Sequence, residues 1–462
     1  MTRPPFGFGP SDRPEDPEGS DPLGLSGLFG GALGPDLFSG LQKLLSWQGG
    51  PVNWDLATQV ATTAAGKDDP AVTDADRAAV VEAVRLADHW LDPVTTLPAS
   101  PGDARTWTRL QWVEQTLPAW KLLVEPVAGR VVAAMGGALE KGLQGLMGGG
   151  AIPGLPEGIG PEMIAGMLGG GQMKQMMDQV GGLVFGAQVG QALGALAGEV
   201  LGATEIGLPL SDGTALLPAN VAAFTAGLEV DAGEVRLYLA LREAAHQRLF
   251  AHVPWLRAHL YDAVDAYARG IEVDPAAIDQ AISSIDPSDM ESLQSALSQG
   301  VFEMKPTPTQ QAALDRLETA LALVEGWVDA VVEAAAAERL PSSVALRETV
   351  RRRRASGGPA EQTFATLVGL QLRPRRLREA ASLWAAVAQA KGIEGRDALW
   401  EHPDLLPGPT DLEDVLGFLD RTGASPAESG TDWDAALRDL ADGGPDGDSP
   451  GPDSAGPDAD GT

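Results

Sequence analysis

The sequence predicts a mainly α-helical protein with one small β element. Between the two chain ends, most segments place apolar side chains at the three-to-four-residue spacing that gives a helix an apolar face. Signals for β-strands are confined to one short stretch. Hydrophobic residues make up 44% of the 462 positions, which is enough to bury a sizeable core.

Helical spacing recurs along the chain. The segments that carry it are 74–90, 105–140, 232–252, 255–269, 274–284, 309–338, 342–354 and 373–391. Aspartates mark two of the starts, at Asp74 and Asp231, and aspartate side chains accept hydrogen bonds from the free N–H groups of a first helical turn. We expect the helix over 232–252 to be amphipathic.

The β element is predicted as a hairpin. Its arms are 205–210 and 215–218, and the connecting Ser211-Asp-Gly-Thr214 contains an Asp-Gly pair, which suits a two-residue turn. Pro209 and Pro218 lack a backbone N–H, so the hairpin is expected at a sheet edge or in a short ladder.

A glycine stands at every fourth position from Gly182 to Gly202. On a helix this repeat makes a groove that a second helix or a strand can approach closely. A membrane span is the alternative, but Gln188, Gln191 and the lack of flanking Lys or Arg favour a tightly packed helix in water. The sequence therefore predicts no membrane span.

Composition divides the chain into five regions. They are a disordered tail over 1–22, a helical region over 23–140, a Gly/Met-rich flexible segment over 141–180, a helical core over 181–424 and an acidic disordered tail over 425–462. The tails are rich in Pro, Gly, Asp and Ser, so they bury too little apolar surface to offset the entropy of the chain. An acidic interaction tail is the alternative for the last region.

Charge and cysteine content exclude several classes of function. The net charge of −31 argues against nucleic acid or an anionic membrane as the main partner, because both require a basic face. The absence of cysteine excludes disulfides, thiolate metal sites and a Cys nucleophile. The first ten residues lack the apolar run of a secretory signal, so we expect a cytoplasmic protein.

The five residues Arg242-Glu243-Ala-Ala-His246 are one position away from a zinc-peptidase motif. In His-Glu-x-x-His, two histidines on one helix face bind the metal and the glutamate activates a water molecule. Here Glu243 and His246 fill the second and fifth positions, and Arg242 stands in the first. The alternative is an ordinary core helix, since Glu-x-x-His alone is a common pattern.

Two carboxylates interrupt an apolar helical segment further along the chain. Glu325 and Asp329 lie one helical turn apart within 321–332. Either they face a polar cavity or they form a solvent-exposed stripe. The apolar flanks favour burial, which requires that both be paired.

Four consecutive arginines, Arg351 to Arg354, end the segment over 342–354. In so acidic a chain we expect them to form ion pairs with neighbouring carboxylates. A clamp for a phosphate or a substrate carboxylate is the alternative.

Five blocks, in this order, resemble the bacterial zincin-like metallopeptidase type 2 family, whose members are labelled zinc-dependent metalloproteases or hydrolases. The blocks are Leu216-Leu-Pro-Ala-Asn-Val221, Leu237-Tyr-Leu-Ala-Leu-Arg-Glu-Ala-Ala-His246, Val253-Pro-Trp-Leu-Arg257, Leu323-Val-Glu-Gly-Trp-Val-Asp329 and Leu346-Arg-x-x-Val-Arg-Arg-Arg-Arg354. The resemblance covers roughly residues 175–400. It implies a zincin-like fold, with helices around a small sheet whose edge holds an extended peptide.

The resemblance also implies roles for individual residues. Glu243 is then the general base, His246 a zinc ligand and Glu325 the third ligand, with Asp329 in a supporting position. The family's first block reads His-Glu-x-x-His and its later block Glu-Gly-His, and this chain has Arg242 and Trp327 in place of the two histidines.

Two functions follow from this pattern. The first is a zinc-dependent hydrolase, plausibly a peptidase, that uses His246, Glu325 and a further ligand. The second is a catalytically inactive zincin-fold protein that binds a peptide or protein partner. A guanidinium at position 242 repels a divalent cation and is able to neutralise Glu243 or Glu325 in its place, which favours the second function.

Overall fold

The computed structural model describes residues 50–148, 172–270, 307–355 and 376–423, and these ranges are mainly helical. The α-helices are α1 (Trp54–Ala65), α2 (Asp74–Leu91), α3 (Arg109–Gly148), α4 (Gln172–Ala197), α5 (Pro218–Thr225), α6 (Ala232–His252), α7 (Pro254–Arg269), α8 (Pro308–Ala336), α9 (Ser343–Ala355), α10 (Leu377–Asp397), α11 (Pro409–Glu413) and α12 (Val415–Gly423). The strands are β1 (Arg105–Thr106) and β2 (Ala215–Leu216). Short 3-10 turns at Ala398–Trp400 and Pro403–Leu405 follow α10.

Helices α6 and α8 form the centre of the protein. Every residue from Tyr238 to Phe250 in α6 is buried, and so is every residue from Ala320 to Asp329 in α8. Helix α6 packs against α2 and α8, while α8 also packs against α7 and α10. The helix predicted over 232–252 is confirmed, but its expected amphipathic character is wrong, because neighbours cover α6 on all sides from Tyr238 to Phe250. Its charged residues must find partners inside the protein.

Side-chain caps fix the starts of the helices that build the centre. Asp231 accepts hydrogen bonds from the N–H groups of Gly233 and Glu234, as its position in the sequence predicts. Helix α2 starts instead from Thr73, whose side chain forms a reciprocal capping pair with Asp76. Helix α8 begins with the same device.

The predicted hairpin is wrong. Strand β2 pairs in parallel with β1, in the register Arg105 to Ala215 and Thr106 to Leu216, and Gly202 forms an antiparallel bridge to Leu216. The segment over 205–210 folds into turns instead. Pro209 has no N–H to give to a ladder, and residues 201–203 already occupy the free edge of β2. The predicted helix over 105–140 accordingly starts only at Arg109.

The glycine repeat brings α4 onto α1. A Cβ atom at Gly190 would lie 2.6 Å from the carbonyl oxygen of Ala57, and one at Gly194 would lie 2.5 Å from the Cβ of Ala64. Only glycine allows the two backbones to approach so closely, so the predicted packing groove is confirmed. Among the described residues, none of the helices is both long and apolar enough to cross a membrane.

Some predicted segments fall outside the described ranges. They include the two tails and the helix over 274–284. The predicted flexible segment over 141–180 is helical at its two ends, through Gly148 in α3 and from Gln172 in α4.

Candidate functional site

A narrow cleft lies beside the middle of α6, between the 201–205 loop, β2 and the end of α9. Its empty volume is ≈ 310 Å³, including the open mouth. The residues that line it are Leu201, Gly202, Thr204, Glu205, Leu216, Leu239, Arg242, Glu243, His246, Val350 and Arg354. Charged and ionisable residues from α6, the 201–205 loop and α9 thus meet around a cleft in an otherwise apolar core.

Glu325 is the centre of the charge network behind the cleft, and its side chain is 1% exposed. Its Oε1 lies 3.0 Å from Nε2 of His246, and its Oε2 accepts a 2.8 Å hydrogen bond from Nη2 of Arg242. Arg354 forms a further ion pair with Oε2. Burial alone would raise the pKa of Glu325, but Arg354, His246 and Arg242 hold it far below its usual range. The carboxylate is therefore ionised.

Asp329 lies one turn further along α8 and shares Arg242 with Glu325. Its Oδ1 is 3.7 Å from Nη1 of Arg242, and its Oδ2 pairs with Arg351. Burial disfavours the charged form of Arg242, yet Glu325 and other negative neighbours raise the pKa of its guanidinium above the ordinary value. Arg242 is thus a fixed charge held between two buried carboxylates.

His246 uses both of its ring nitrogens within the network. Nδ1 lies 2.8 Å from the carbonyl oxygen of Arg242, and Nε2 lies 3.0 Å from the Glu325 carboxylate. Both partners are acceptors, so the imidazole meets a hydrogen-bond acceptor at each of its two nitrogens.

Glu243 points away from Glu325 and towards the loop over 202–204. Its Oε2 accepts hydrogen bonds from the backbone N–H of Thr204 at 3.1 Å and from the Thr204 hydroxyl at 2.6 Å. A Cβ atom at Gly202 would lie 2.6 Å from the same oxygen, so glycine is needed there. Burial raises the pKa of Glu243 despite the bonds from Thr204. The pKa of Glu243 is therefore shifted in the opposite direction to the pKa of Glu325.

The donor set does not fit the zinc ion that the resemblance implies. Catalytic zinc usually takes three protein ligands. Within the described ranges, no group of three or more His, Asp or Glu side chains is arranged to hold a metal ion. His246 and Glu325 are adjacent, but each is already bonded to the other, and two guanidinium groups bind Glu325.

Trp327 does not reach the cleft. Two residues along a helix correspond to about 200° of rotation, so Trp327 and Glu325 project from nearly opposite sides of α8. The Trp327 indole N–H donates instead to Oδ1 of Asp397 at 2.9 Å. The structure thus brings together Arg242, Glu243, His246, Glu325 and Asp329 and leaves Trp327 in a different cluster.

Sequence reasoning missed that two of the arginines in α9 belong to the site. The expected ion pairs of the arginine run are confirmed, since Arg351 pairs with Asp329, Arg352 with Glu348 and Arg354 with Glu325. Arg351 and Arg354 are three residues apart and share a helix face, which is the signal that indicates a common target. The sequence contained no sign that this target is the wall of the cleft.

Comparison with known proteins gives one family match and one structural match. Residues 52–419 match the family described as zincin-like metallopeptidase. A crystal structure from Chloroflexus aurantiacus, titled as "a putative hydrolase with a novel fold", has a TM-score of 0.53 and 19% sequence identity. The match covers 81% of this chain and 99% of that one, and at this identity it establishes a similar fold only. No curated protein matches the chain.

Proposed function

The chain belongs to the zincin-like metallopeptidase family, and we propose that it is a non-catalytic member that holds no zinc and binds a peptide or protein partner at the cleft. The observation that carries the proposal is the burial of the Arg242 guanidinium against Glu325 and Asp329. In this interpretation Arg242 stands where the family has its first zinc-binding histidine.

The electrostatics of the site support a guanidinium in place of a metal. Two buried carboxylates require positive charge nearby, because an unpaired buried carboxylate is costly. Arg242 and Arg354 supply that charge with directional hydrogen bonds, which a planar guanidinium forms well with carboxylates. A dication placed against them would be repelled at close range.

The bonding state of His246 and Glu243 agrees with this proposal. The imidazole of His246 is committed to Glu325 and to the backbone of Arg242. The Glu243 carboxyl is committed to Thr204, and its pKa is raised by burial. We therefore assign Glu243 to holding the 202–204 loop on α6, which shapes the cleft wall.

A zinc-dependent hydrolase is the second candidate, favoured by one observation. A buried carboxyl with a raised pKa beside a cleft is the kind of group that serves as a general base near neutral pH. In that case Glu243 would hold or release a proton at the cleft, and removing its charge would abolish turnover.

Metal analysis combined with a peptidase assay tests the proposal. We expect the full chain, purified without chelator and dialysed against zinc, to carry far less than one zinc ion per molecule. Peptide hydrolysis should be no faster than that of Glu243→Gln. Stoichiometric zinc together with turnover that disappears in Glu243→Gln would overturn the proposal in favour of the hydrolase.

The variant Arg242→His tests the proposal by a gain of zinc binding. The substitution removes one guanidinium and adds an imidazole at the first position of the motif, so zinc affinity should increase relative to the unaltered chain. Arg248→His is the matched control, because Arg248 lies on the same helix but pairs with Asp88 and Asp92, away from the cleft. Equal zinc uptake by both variants would contradict the assignment of position 242.

A further inference from the structure

Helix α9 contributes Arg354 to the lining of the cleft, and Arg351 and Arg353 lie on the same helical turn. Arg354 pairs with Glu325 through Nη1 and donates a 2.6 Å hydrogen bond from Nη2 to the carbonyl oxygen of Glu205. Arg351 pairs with Asp329. The Arg353 guanidinium lies 5.5 Å from the centre of the Phe224 ring. One helical turn of α9 therefore connects α8 to the opposite wall of the cleft.

The acceptors that receive Arg354 form a pocket suited to a guanidinium. A carboxylate oxygen of Glu325 and the backbone carbonyl of Glu205 bind two different nitrogens of the same group. That arrangement matches the planar fork of arginine better than the single point of a lysine ammonium. If α9 moved away, both acceptors would lose a donor, while Arg242 and His246 would remain on Glu325.

The fit of the α9 arginines is incomplete. The Nε atoms of Arg351 and Arg354 are both buried, and neither has a hydrogen-bond partner among the residues that the structure describes. A buried polar group without a partner weakens the contact that encloses it.

A second buried arginine of the same protein shows what a complete fit looks like. Arg248 donates from Nε, Nη1 and Nη2 to Asp88, Asp92 and the carbonyl oxygen of Leu97. By contrast, α9 is held by the buried side chains of Leu346 and Val350 and by the ion pairs of Arg347, Arg351 and Arg354, and its outer side is exposed, with 78% exposure of the Arg352 side chain. The guanidinium groups that hold α9 are thus satisfied less completely than that of Arg248.

We infer that the cleft is a binding pocket for an arginine side chain of a partner peptide, and that α9 is an internal strap whose Arg354 occupies this pocket until the partner displaces it. This inference rests on the proposed function, because a metal ion on His246 and Glu325 would repel a guanidinium. The expected partner is a peptide with an accessible arginine side chain, and it does not need an acidic group.

Calorimetric titration of a strap variant tests the inference. The probe is N-acetyl-arginine-N-methylamide, and its neutral isostere N-acetyl-citrulline-N-methylamide is the control ligand. Arg351→Ala/Arg354→Ala should bind the arginine probe at least about tenfold more tightly than the unaltered chain, because an occupied pocket lowers apparent affinity. Arg352→Ala is the matched control and should behave like the unaltered chain, since the exposed Arg352 pairs with Glu348 in its own helix.

Two results would overturn the inference: equal affinity of the strap variant and the unaltered chain for the arginine probe, or equal affinity of the variant for arginine and citrulline. Zinc is measured in the same samples. Stoichiometric zinc would show that the proposed function is wrong. Zinc-free protein that does not bind the arginine probe would contradict only the inference that Arg354 occupies an arginine pocket.

Hydrogen exchange of the unaltered chain keeps the inference testable if the double variant does not fold. Saturating arginine probe should speed amide exchange in α9 and leave α10 unchanged, because only α9 must leave its place. Unchanged exchange in α9 at probe concentrations that bind would contradict the strap.

Discussion

The two sides of α8 bury carboxylates in different ways. On the cleft side, Glu325 is held by Arg242, Arg354 and His246. On the closed side, Asp397 at the end of α10 accepts hydrogen bonds from Thr95, Thr96, Trp327 and Arg396. Both side chains are 1% exposed. Burial alone therefore does not distinguish a structural cluster from a candidate site.

The difference lies in the kind of partner. Asp397 has a single cationic partner, and its other donors are the neutral hydroxyl, amide and indole groups of Thr95, Thr96 and Trp327. These donors tie α8, α10 and the loop after α2 together. Glu325 has side-chain partners that carry or can carry positive charge, and one of them, Arg354, arrives from α9. Cationic partners therefore dominate on the side of α8 that faces the cleft.

The largest expected effect comes from Glu325→Gln. The variant removes the negative charge that Arg242, His246 and Arg354 share, and breaking a buried ion pair costs about 3–5 kcal/mol. Urea unfolding should show this loss as a lower midpoint with an unchanged slope. Glu348→Gln in α9 is the control, because its pair with Arg352 is exposed and its loss should leave the urea midpoint almost unchanged.

A smaller loss is expected from Asp397→Asn on the closed side. The amide keeps one acceptor oxygen for Trp327 or Arg396, but it turns a donor towards Thr95 and Thr96 and leaves the buried Arg396 without its counter-charge. We therefore expect a cost of about 3 kcal/mol, the lower end of the range for a broken buried ion pair. Affinity for the arginine probe should not change, because Asp397 faces away from the cleft. A larger loss than that of Glu325→Gln would contradict the comparison between the two sides.

The elements predicted best from sequence are those fixed by nearby residues. The spacing of apolar residues predicts α2, α6 and α8 within a few positions, and Asp231 marks the start of α6. The hairpin failed because the partner of β2 is β1, which lies far away in the chain, and local turn propensity contains no information on that pairing.

The sequence likewise predicted the part of the candidate site that lies within local motifs, but not the part that depends on packing between distant helices. Motif spacing indicates Glu243, His246, Glu325 and Asp329 as site residues, and the structure places them on the adjoining buried helices α6 and α8. The contribution of Arg354 depends on how α9 folds back onto the cleft, and that of Trp327 on which side of α8 faces α10. Both are consequences of tertiary packing, which helical periodicity does not encode.

The smallest expected effect is a difference in how Glu325 and Glu243 make the stability of the fold depend on pH. The pKa of Glu325 is lowered, so the unfolded chain takes up its proton first as the pH falls below about 4.5, and the stabilisation by Glu325 is lost in acid. The pKa of Glu243 is raised, so the folded chain takes up its proton first. Its ionised form therefore lowers stability as the pH rises from about 4.5 through the folded pKa.

Glu243→Gln isolates the second of these contributions. Glutamine offers an oxygen to Thr204 but does not ionise, so the variant should gain stability relative to the unaltered chain as the pH rises, and the gain should level off above the folded pKa. The measurement is the difference in urea midpoint between the two proteins from pH 4 to pH 8, which cancels groups common to both. Glu338→Gln, at an exposed position, is the control and should give a flat difference. A Glu243→Gln difference that falls with rising pH would mean that the ionised carboxylate is stabilised in the fold, and the contrast between Glu243 and Glu325 would be lost.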